Sequence, residues 1–453
     1  MSVDVVVEQE KKVPLAYDVD VAVAGSGVAG CFAAIAAARS GVETLLVDRF
    51  AYPGGNMGPG MIAGGSLSGG EFRHLCGGFT GIPREFIERH IELGGGTVPE
   101  SPNLGDLPPS PHPGNYAKDS GIASYTLMKM LEESGVRCLF STFIADPIVE
   151  GGRVSGLFVE NKSGRRAVRA KVVVDATGEA DVAMRAGAAM IYPESYYADI
   201  DGHCPGGSGI CYVVAGVDED RYEVYVEEAE ASGKELEVGR GRWTCRGGVV
   251  VTRTGPPRRD HQDGTYAHDA EKLTRDEITM RTEIFETVQR WKEEVPGFED
   301  TYLLSIAPYM GSRGGPCIKG VYTLGPADML AGRRFDDVLL MFSTRGCFDA
   351  EDPERKVDAP WTDFPFRILV PEKLDGLLTA GRSSSSIPDT LVRGRMMVMH
   401  QGQIGGTAAA LTVKQGVMPR KLDVKVLQQA LVDEGFYLGD EARLDELGLE
   451  AAS

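Results

Sequence analysis

The sequence predicts an α/β fold interrupted by a second, α+β unit, and three observations carry that prediction. The apolar run Asp18 to Ala24 leads through a glycine-rich turn into the helix-like stretch Val28 to Arg39, closed by Ser40-Gly41. A second apolar run, Glu43 to Val47, completes a β-α-β unit. Three β-rich runs between Thr142 and Val174, separated by Gly151-Gly152 and by Asn161 to Gly164, then read as a three-stranded meander. From about residue 189 to 300, tyrosines, charges and a long helical pattern (Asp269 to Glu294) replace the glycine-rich texture. That texture returns with a strand at Gly376 to Ala380 and a helix from about Gln403 to Val413. The expected division is therefore 1–188 and 367–453 for the split α/β domain, with 189–366 as the inserted substrate or cap domain.

The remaining stretches fit around this frame. Tyr52 to Gly81 is glycine-rich and nearly free of periodicity, which suits a loop held against something flat and rigid. Helices are expected at Pro83 to Leu93 and Ala123 to Ser134, on either side of the proline-rich stretch Pro99 to Pro113, and the acidic run Asp440 to Glu450 reads as a solvated helix.

Length and composition bound the function. The 453 residues suggest two or three units at about 150 residues each. With 47 basic and 66 acidic residues the net charge is −19, which repels phosphate backbones and anionic lipid, so nucleic acid and membrane surfaces are poor partners. The 58 glycines are clustered rather than periodic, as expected of tight turns built around a ligand. The eight cysteines contain no CxxC pair and read as reduced thiols. The first 17 residues are charged and lack a signal-type apolar core, and no run reaches the ~18 apolar residues a membrane span needs, so the expected location is the cytoplasm.

The motif Gly25-Ser-Gly27-Val-Ala-Gly30 sits between a strand and a helix, the context a dinucleotide fingerprint requires. Gly25 serves the tight turn, Gly27 lets backbone approach a pyrophosphate, and Gly30 allows close helix–strand packing. Asp48, at the end of the second strand, has the spacing of the acid that hydrogen-bonds an adenosine ribose. Three further segments favour FAD over NAD: the loop Pro53 to Gly60 after Arg49, the meander end Asp175-Ala-Thr-Gly178, and Leu378 to Arg382 followed by Gly402 to Thr407 as a second helix N-terminus.

Through these segments, and through GGFTGIPREFIERHIELGG, VVVDATGEADVA, YTLGPADMLAGRRFDD and GQIGGTAAAL, the chain resembles the FAD-dependent oxidoreductases with the fumarate-reductase-like flavin fold, related to the glutathione-reductase type. The resemblance implies a Rossmann-like FAD-binding domain and the following contacts. Gly25, Gly27 and Gly30 would line the diphosphate, Asp48 the ribose and Arg49 the adenosine edge. Gly55, Asn56 and Met57 would lie along diphosphate and flavin. Phe143 would pass its backbone near the adenine, and Thr177 and Gly178 would close that side. Gly381, Arg382 and the turn Gly405-Gly406-Thr407 would reach the ribityl chain and flavin pyrimidine. No matching histidine or cysteine implies a covalent flavin, although His74 and His90 are near enough in sequence to leave that linkage open.

The chain also departs from the family. Where relatives carry an Arg-Glu-x-Arg-Arg run it reads Arg313-Gly-Gly-Pro-Cys317, and where they place a histidine after the A-G-R strand end it has Ser383 to Ser386. Hydride transfer from an alcohol or amine to flavin N5 needs a base, for which His400 and His74 are the candidates; Arg313 and Arg393 are candidates for holding a carboxylate or polarising a carbonyl, with Arg395 as the alternative to Arg393. Tyr192, Tyr196, Tyr197, His203 and Tyr212 offer a pocket lining, with ordinary core the competing reading, and Arg258 to Asp269 reads as a solvated loop rather than a metal site. The expected function is a flavin-dependent dehydrogenase or oxidase acting on a CH–OH, CH–NH or CH–CH donor. The alternatives are reduction of an activated C=C bond and a flavin-binding subunit without catalysis. Expected partners are a small-molecule substrate and an electron acceptor (oxygen, a quinone or a carrier protein), with a homo-oligomer left open; no metal is expected.

Overall fold

The computed structural model describes residues 6–8, 10–61, 75–76, 78–95, 119–192, 209–234, 236, 244–245, 248–253, 269–311, 315–342, 347–348, 356–357, 361–387 and 394–451. The first strand, β1 (Leu15–Ala24), lies mid-sheet, so its C-terminal half is an unbroken buried run. It enters α1 (Val28–Arg39), whose small residues are buried nearly all round, and returns in β2 (Thr44–Val47). Two helices, α2 (Gly81–Glu92) and α3 (Ser120–Glu133), precede the short β3 (Arg137–Leu139). The meander follows as β4 (Phe143–Glu150), β5 (Arg153–Asn161) and β6 (Gly164–Asp175), then the short α4 (Asp181–Arg185).

One strand of the seven-stranded sheet serves both its antiparallel and its parallel part. The first part of β6 pairs antiparallel with β5, from Asn161 opposite Gly164 to Gly156 opposite Arg169. Its last part runs parallel both to β1, with Ala24 opposite Asp175, and to a late strand, Leu377–Thr379, with Thr379 opposite Asp175. The parallel layer therefore has the order β3-β2-β1-β6 followed by that late strand, and the chain reverses direction of travel across the sheet between β1 and β6. Ligands of open α/β sheets bind outside the strand ends at such a switch point.

A second sheet is built from β7 (Cys211–Ala215), β8 (Thr244–Cys245), β9 (Val249–Arg253) and β10 (Tyr302–Ile306), all antiparallel. With α5 (Glu219–Ser232) and the 25-residue α6 (Ala270–Glu294) it encloses its own core of Tyr212, Val214, Met280, Ile284, Val288, Trp291 and Phe298. Asp269 caps α6, its carboxylate accepting from the Glu271 and Lys272 amides. This second core runs from Ile210 to Met310, whereas Leu324, Phe335, Val338 to Phe342 and Phe364 to Val370 pack into the first core. Cys317–Ile318 also pairs back onto Met190–Ile191. By packing, the tail of the expected 189–366 insert thus returns to the first unit, because β11 (Val338–Phe342) and β12 (Thr362–Pro365) have their apolar partners there.

The chain closes with β13 (Leu377–Thr379), α7 (Arg395–Gln415), α8 (Val424–Asp433) and α9 (Glu441–Leu447). Two expectations need correction here. The last long helix starts at Arg395, eight residues before Gln403, so Gly402, Gly405 and Gly406 lie inside a helix instead of at its N-terminus. They remain glycine because α7 crosses α1 closely: a β-carbon on Gly402 or Gly406 would collide with the Ala29 or Ala33 carbonyl oxygen of α1. The acidic C-terminal helix is not solvated throughout. Leu447 and Leu449 are core residues, and the Arg443 guanidinium reaches back to the Phe335 carbonyl and the buried Asp363 carboxylate. Among the described residues, no helix is long and apolar enough to cross a membrane, and no cluster of metal-ligating side chains occurs.

Candidate functional site

The C-terminal ends of β1, β2, β6 and β13 bring Gly25, Asp48, Ala176 and Gly381 to one edge of the sheet. Gly25 turns with φ +94°, and a β-carbon there would lie 2.8 Å from the Ala176 carbonyl oxygen, so two strand ends approach through backbone alone. Gly30 is equally constrained, since any side chain would strike the Gly25 carbonyl. Gly27 differs: among the described residues a β-carbon there would meet only the Ala176 carbonyl oxygen, at 4.0 Å, so that face of Gly27 is open.

Gly27 is the N-cap of α1, and neither a side-chain cap nor an acid in the first turn serves the helix's free amides. Beside them the Ser26 hydroxyl is buried without a hydrogen-bond partner among the described residues. Asp48 accepts from the Ser26 amide with one oxygen and from the Phe50 amide, at 2.7 Å, with the other. Each of those oxygens keeps a second lone pair for a further donor. The Gly54 amide donates to the Ser26 carbonyl at 2.8 Å, and a β-carbon on Gly55 would come 2.7 Å from the Gly27 α-carbon, so the loop from Gly54 lies directly on the α1 turn. Asn56 and Met57 follow in one turn of 3-10 helix, Met57 buried.

On the opposite flank, all three groups that face the buried Asp175 carboxylate are donors. The Thr177 amide at 3.1 Å and its hydroxyl at 2.7 Å reach one oxygen, and the Ala183 amide at 2.9 Å the other. Burial pushes the Asp175 carboxyl up to about 6, against the pull of those donors. Thr177 then accepts from the Asp181 amide, so its O–H and one of its two lone pairs are used within the turn. Arg382 donates to the Gly178 carbonyl at 2.8 Å and pairs with Glu179, tying the β6 and β13 ends together.

The remaining expected residues divide into three groups. Phe143 is 64% exposed, and its neighbour Thr142 reaches the edge, its amide donating to the Asp48 carbonyl. His74, Arg313 and Arg393 lie outside the described residues, as do Tyr196, Tyr197, His203 and the 258–268 stretch. His400 is a correction. Its Nδ1 bonds the Met396 carbonyl at 2.7 Å and its Nε2 accepts from the Thr80 amide at 3.3 Å, which fixes the neutral tautomer and uses both nitrogens. Only 1% exposed, stacked near Phe79 and edge-on to Phe436, and pushed down to about 4 by burial, it has no lone pair left for a substrate proton. Gly405, Gly406 and Thr407 are likewise interior α7 residues, and Tyr212 is core, packed on Trp291. His90 is completely buried against Phe86, with Gly95 closing over the ring, so it has no room for a flavin bond.

Two residues at this edge had no place among the expected ligands. Asp175 was legible in principle, as an acid ending a buried valine run. Tyr309, whose hydroxyl donates to Asn56 Oδ1 at 3.3 Å, comes from the second unit, 253 residues away in sequence, and no local pattern marks it.

The sequence model of the FAD dependent oxidoreductases matches residues 20–431. This chain is an FAD dependent oxidoreductase. No curated protein matches it. Among solved structures the oxidoreductase is similar to a geranylgeranyl bacteriochlorophyll reductase-like protein from Thermoplasma acidophilum, at 14% identity over 96% of this chain and 89% of that one, TM-score 0.46. It is also similar to the flavin-dependent brominase Bmp2, at 14% identity over 92% and 83% of the two chains, TM-score 0.46. A variant of the halogenase PltM in complex with FAD aligns at 11% identity over 92% and 74%, TM-score 0.42. The cofactor fits the edge described above: the uncapped α1 turn, the orphaned Ser26 hydroxyl and the open face of Gly27 suit a diphosphate, and the spare lone pairs of Asp48 suit a ribose.

Proposed function

We propose that the oxidoreductase takes a hydride from a small CH–OH, CH–NH or CH–CH donor and passes the electrons on to oxygen, a quinone or a carrier. Bound FAD supplies the two-electron chemistry at its N5 position. Everything else falls to the protein. The α1 turn and Gly54–Met57 hold the diphosphate, Asp48 holds the ribose with Arg49 at the adenosine edge, and the Arg382–Glu179 pair with Gly178 closes the other flank. The second unit, with the core of Tyr212, Met280 and Trp291, forms the cap over this edge and keeps water from the reacting carbon.

With His400 committed to backbone, His74 is the proposed base, and Arg313 and Arg393 are the proposed carboxylate or carbonyl ligands. FAD is proposed to be held without a covalent bond. The observation that carries the reading is the convergence of an uncapped helix turn, the Ser26 hydroxyl and Asp48 at the sheet's switch point.

The test is an absorption spectrum of the purified protein, followed by mass identification of the heat-released cofactor and anaerobic mixing with alcohols, amines and saturated acids. Flavin bands, FAD in the supernatant and bleaching by one donor class are expected. A colourless protein that takes up no added FAD overturns the reading. Reduced protein reoxidised by enoates, with no donor able to bleach the oxidised form, reverses its direction.

A further inference from the structure

The geometry points to Tyr309 as a positioning residue that latches the second unit onto the cofactor loop, so that retention of FAD depends on the fold of residues 210–310. The inference rests on the reading of Gly54–Met57 as the support of the diphosphate and flavin.

Five observations carry it. The Tyr309 ring stacks on Phe50, with centroids 4.5 Å apart and planes inclined by 23°, and the Arg49 guanidinium covers both rings at 4.8 and 5.9 Å. Its hydroxyl, kept protonated because burial raises the phenol, donates to Asn56 Oδ1. A side chain at Gly60 would come within 2.9 Å of that hydroxyl, so the loop is shaped to admit it. On the other side, the segment bearing Tyr309 is anchored to α6: Glu277 accepts from the Met310 amide, and Arg281 donates to the Ala307 carbonyl at 3.0 Å. A continuous path thus runs from α6 through residues 307–310 to Asn56, which adjoins the loop glycines lying on the α1 turn. Met61, at the loop's far end, packs against the second core with the unusual φ of +55°. A loop pinned at Asn56 and Met61 presents its backbone in one arrangement, and preorganisation of that kind lowers the ordering cost of binding.

The test uses the full chain with Tyr309→Phe and Tyr309→Ala, read by the rate of FAD release on dilution and by hydrogen exchange of the 54–61 amides in cofactor-free protein. Losing the hydroxyl alone should speed release about 3- to 10-fold. Losing the stack as well should bring the total to about 30- to 100-fold. Exchange at 54–61 should quicken in the same order. Wild-type release rates and exchange in both variants overturn the latch. If Tyr309→Ala does not fold, Tyr309→Phe decides alone, since it keeps the stack. If the wild-type protein takes up no FAD, the functional reading fails, while unchanged exchange at 54–61 would still be needed to overturn the latch.

Discussion

At the scale of single residues, donor and acceptor inventories decide what a side chain can do. Asp175 faces three donors among the described residues, and its ionised carboxylate can accept from each of them. Asn in its place would turn an NH2 group toward one of them, and Asp175→Asn should lower stability by about 1–3 kcal/mol at neutral pH, measured by denaturant unfolding. The pH dependence separates charge from hydrogen bonding. The folded value of about 6 lies above the ordinary 3.8, so the stabilising contribution is fully present below pH 3.8 and is lost as pH rises through 6. Relative to the Asn variant, wild type should therefore gain about 2–3 kcal/mol between pH 7 and pH 4. His400 carries the opposite sign. Its folded value near 4 lies below the ordinary 6.5, so the unfolded chain binds the extra proton and stability falls as pH drops from 6.5 toward 4. His400→Gln should flatten that acid slope by up to about 1.4 kcal/mol per pH unit while leaving any acid limb of the rate profile in place. A rate profile whose acid limb vanished with this substitution would restore His400 as the base.

At the scale of elements, the local signals were strong where the chain is local. The β-α-β unit, the meander and α6 were legible to within three residues, because each is set by apolar periodicity and glycine turns inside one window. The start of α7 was not legible: Gly402, Gly405 and Gly406 argue for a turn, and only the distant α1 surface explains them as contact points. The three glycines give a sharp contrast. Gly406→Ala should cost about 1–3 kcal/mol in unfolding free energy, because the new methyl would drive into the Ala33 carbonyl. A methyl at Gly405 meets the Ala380 β-carbon at 3.4 Å and the Val174 Cγ1 at 3.8 Å, ordinary contact distances. Gly405→Ala should therefore be neutral or stabilising by up to about 1 kcal/mol through helix propensity, with FAD affinity unchanged. A loss of FAD affinity at Gly405→Ala would return that glycine to the cofactor's contacts.

At the scale of the whole molecule, the strand-end turns were legible and the long-range contacts were not. Motif and spacing bring Gly25, Gly27 and Asp48 to the sheet edge, and the resemblance adds Gly178 and Gly381, whereas the Tyr309 contact between the two units and the pairing of Arg382 with Glu179 within the first depend on contacts no window contains. The same distinction predicts what truncation does. Removing residues 394–453 strips the partner of α1 and exposes Phe32, Ala33 and Ala36, so the shortened chain should neither hold FAD nor unfold cooperatively. Cofactor retention after gel filtration and a denaturation curve check both.

The pairing of α1 with α7 joins the earliest helix of the chain to one that begins at Arg395. On the ribosome, at about 5–20 residues per second, the β1-α1-β2 unit waits tens of seconds with a greasy flank bare before its mate is made. Such a nascent chain is a natural client for a chaperone, and the coenzyme can be loaded only after α7 has been made.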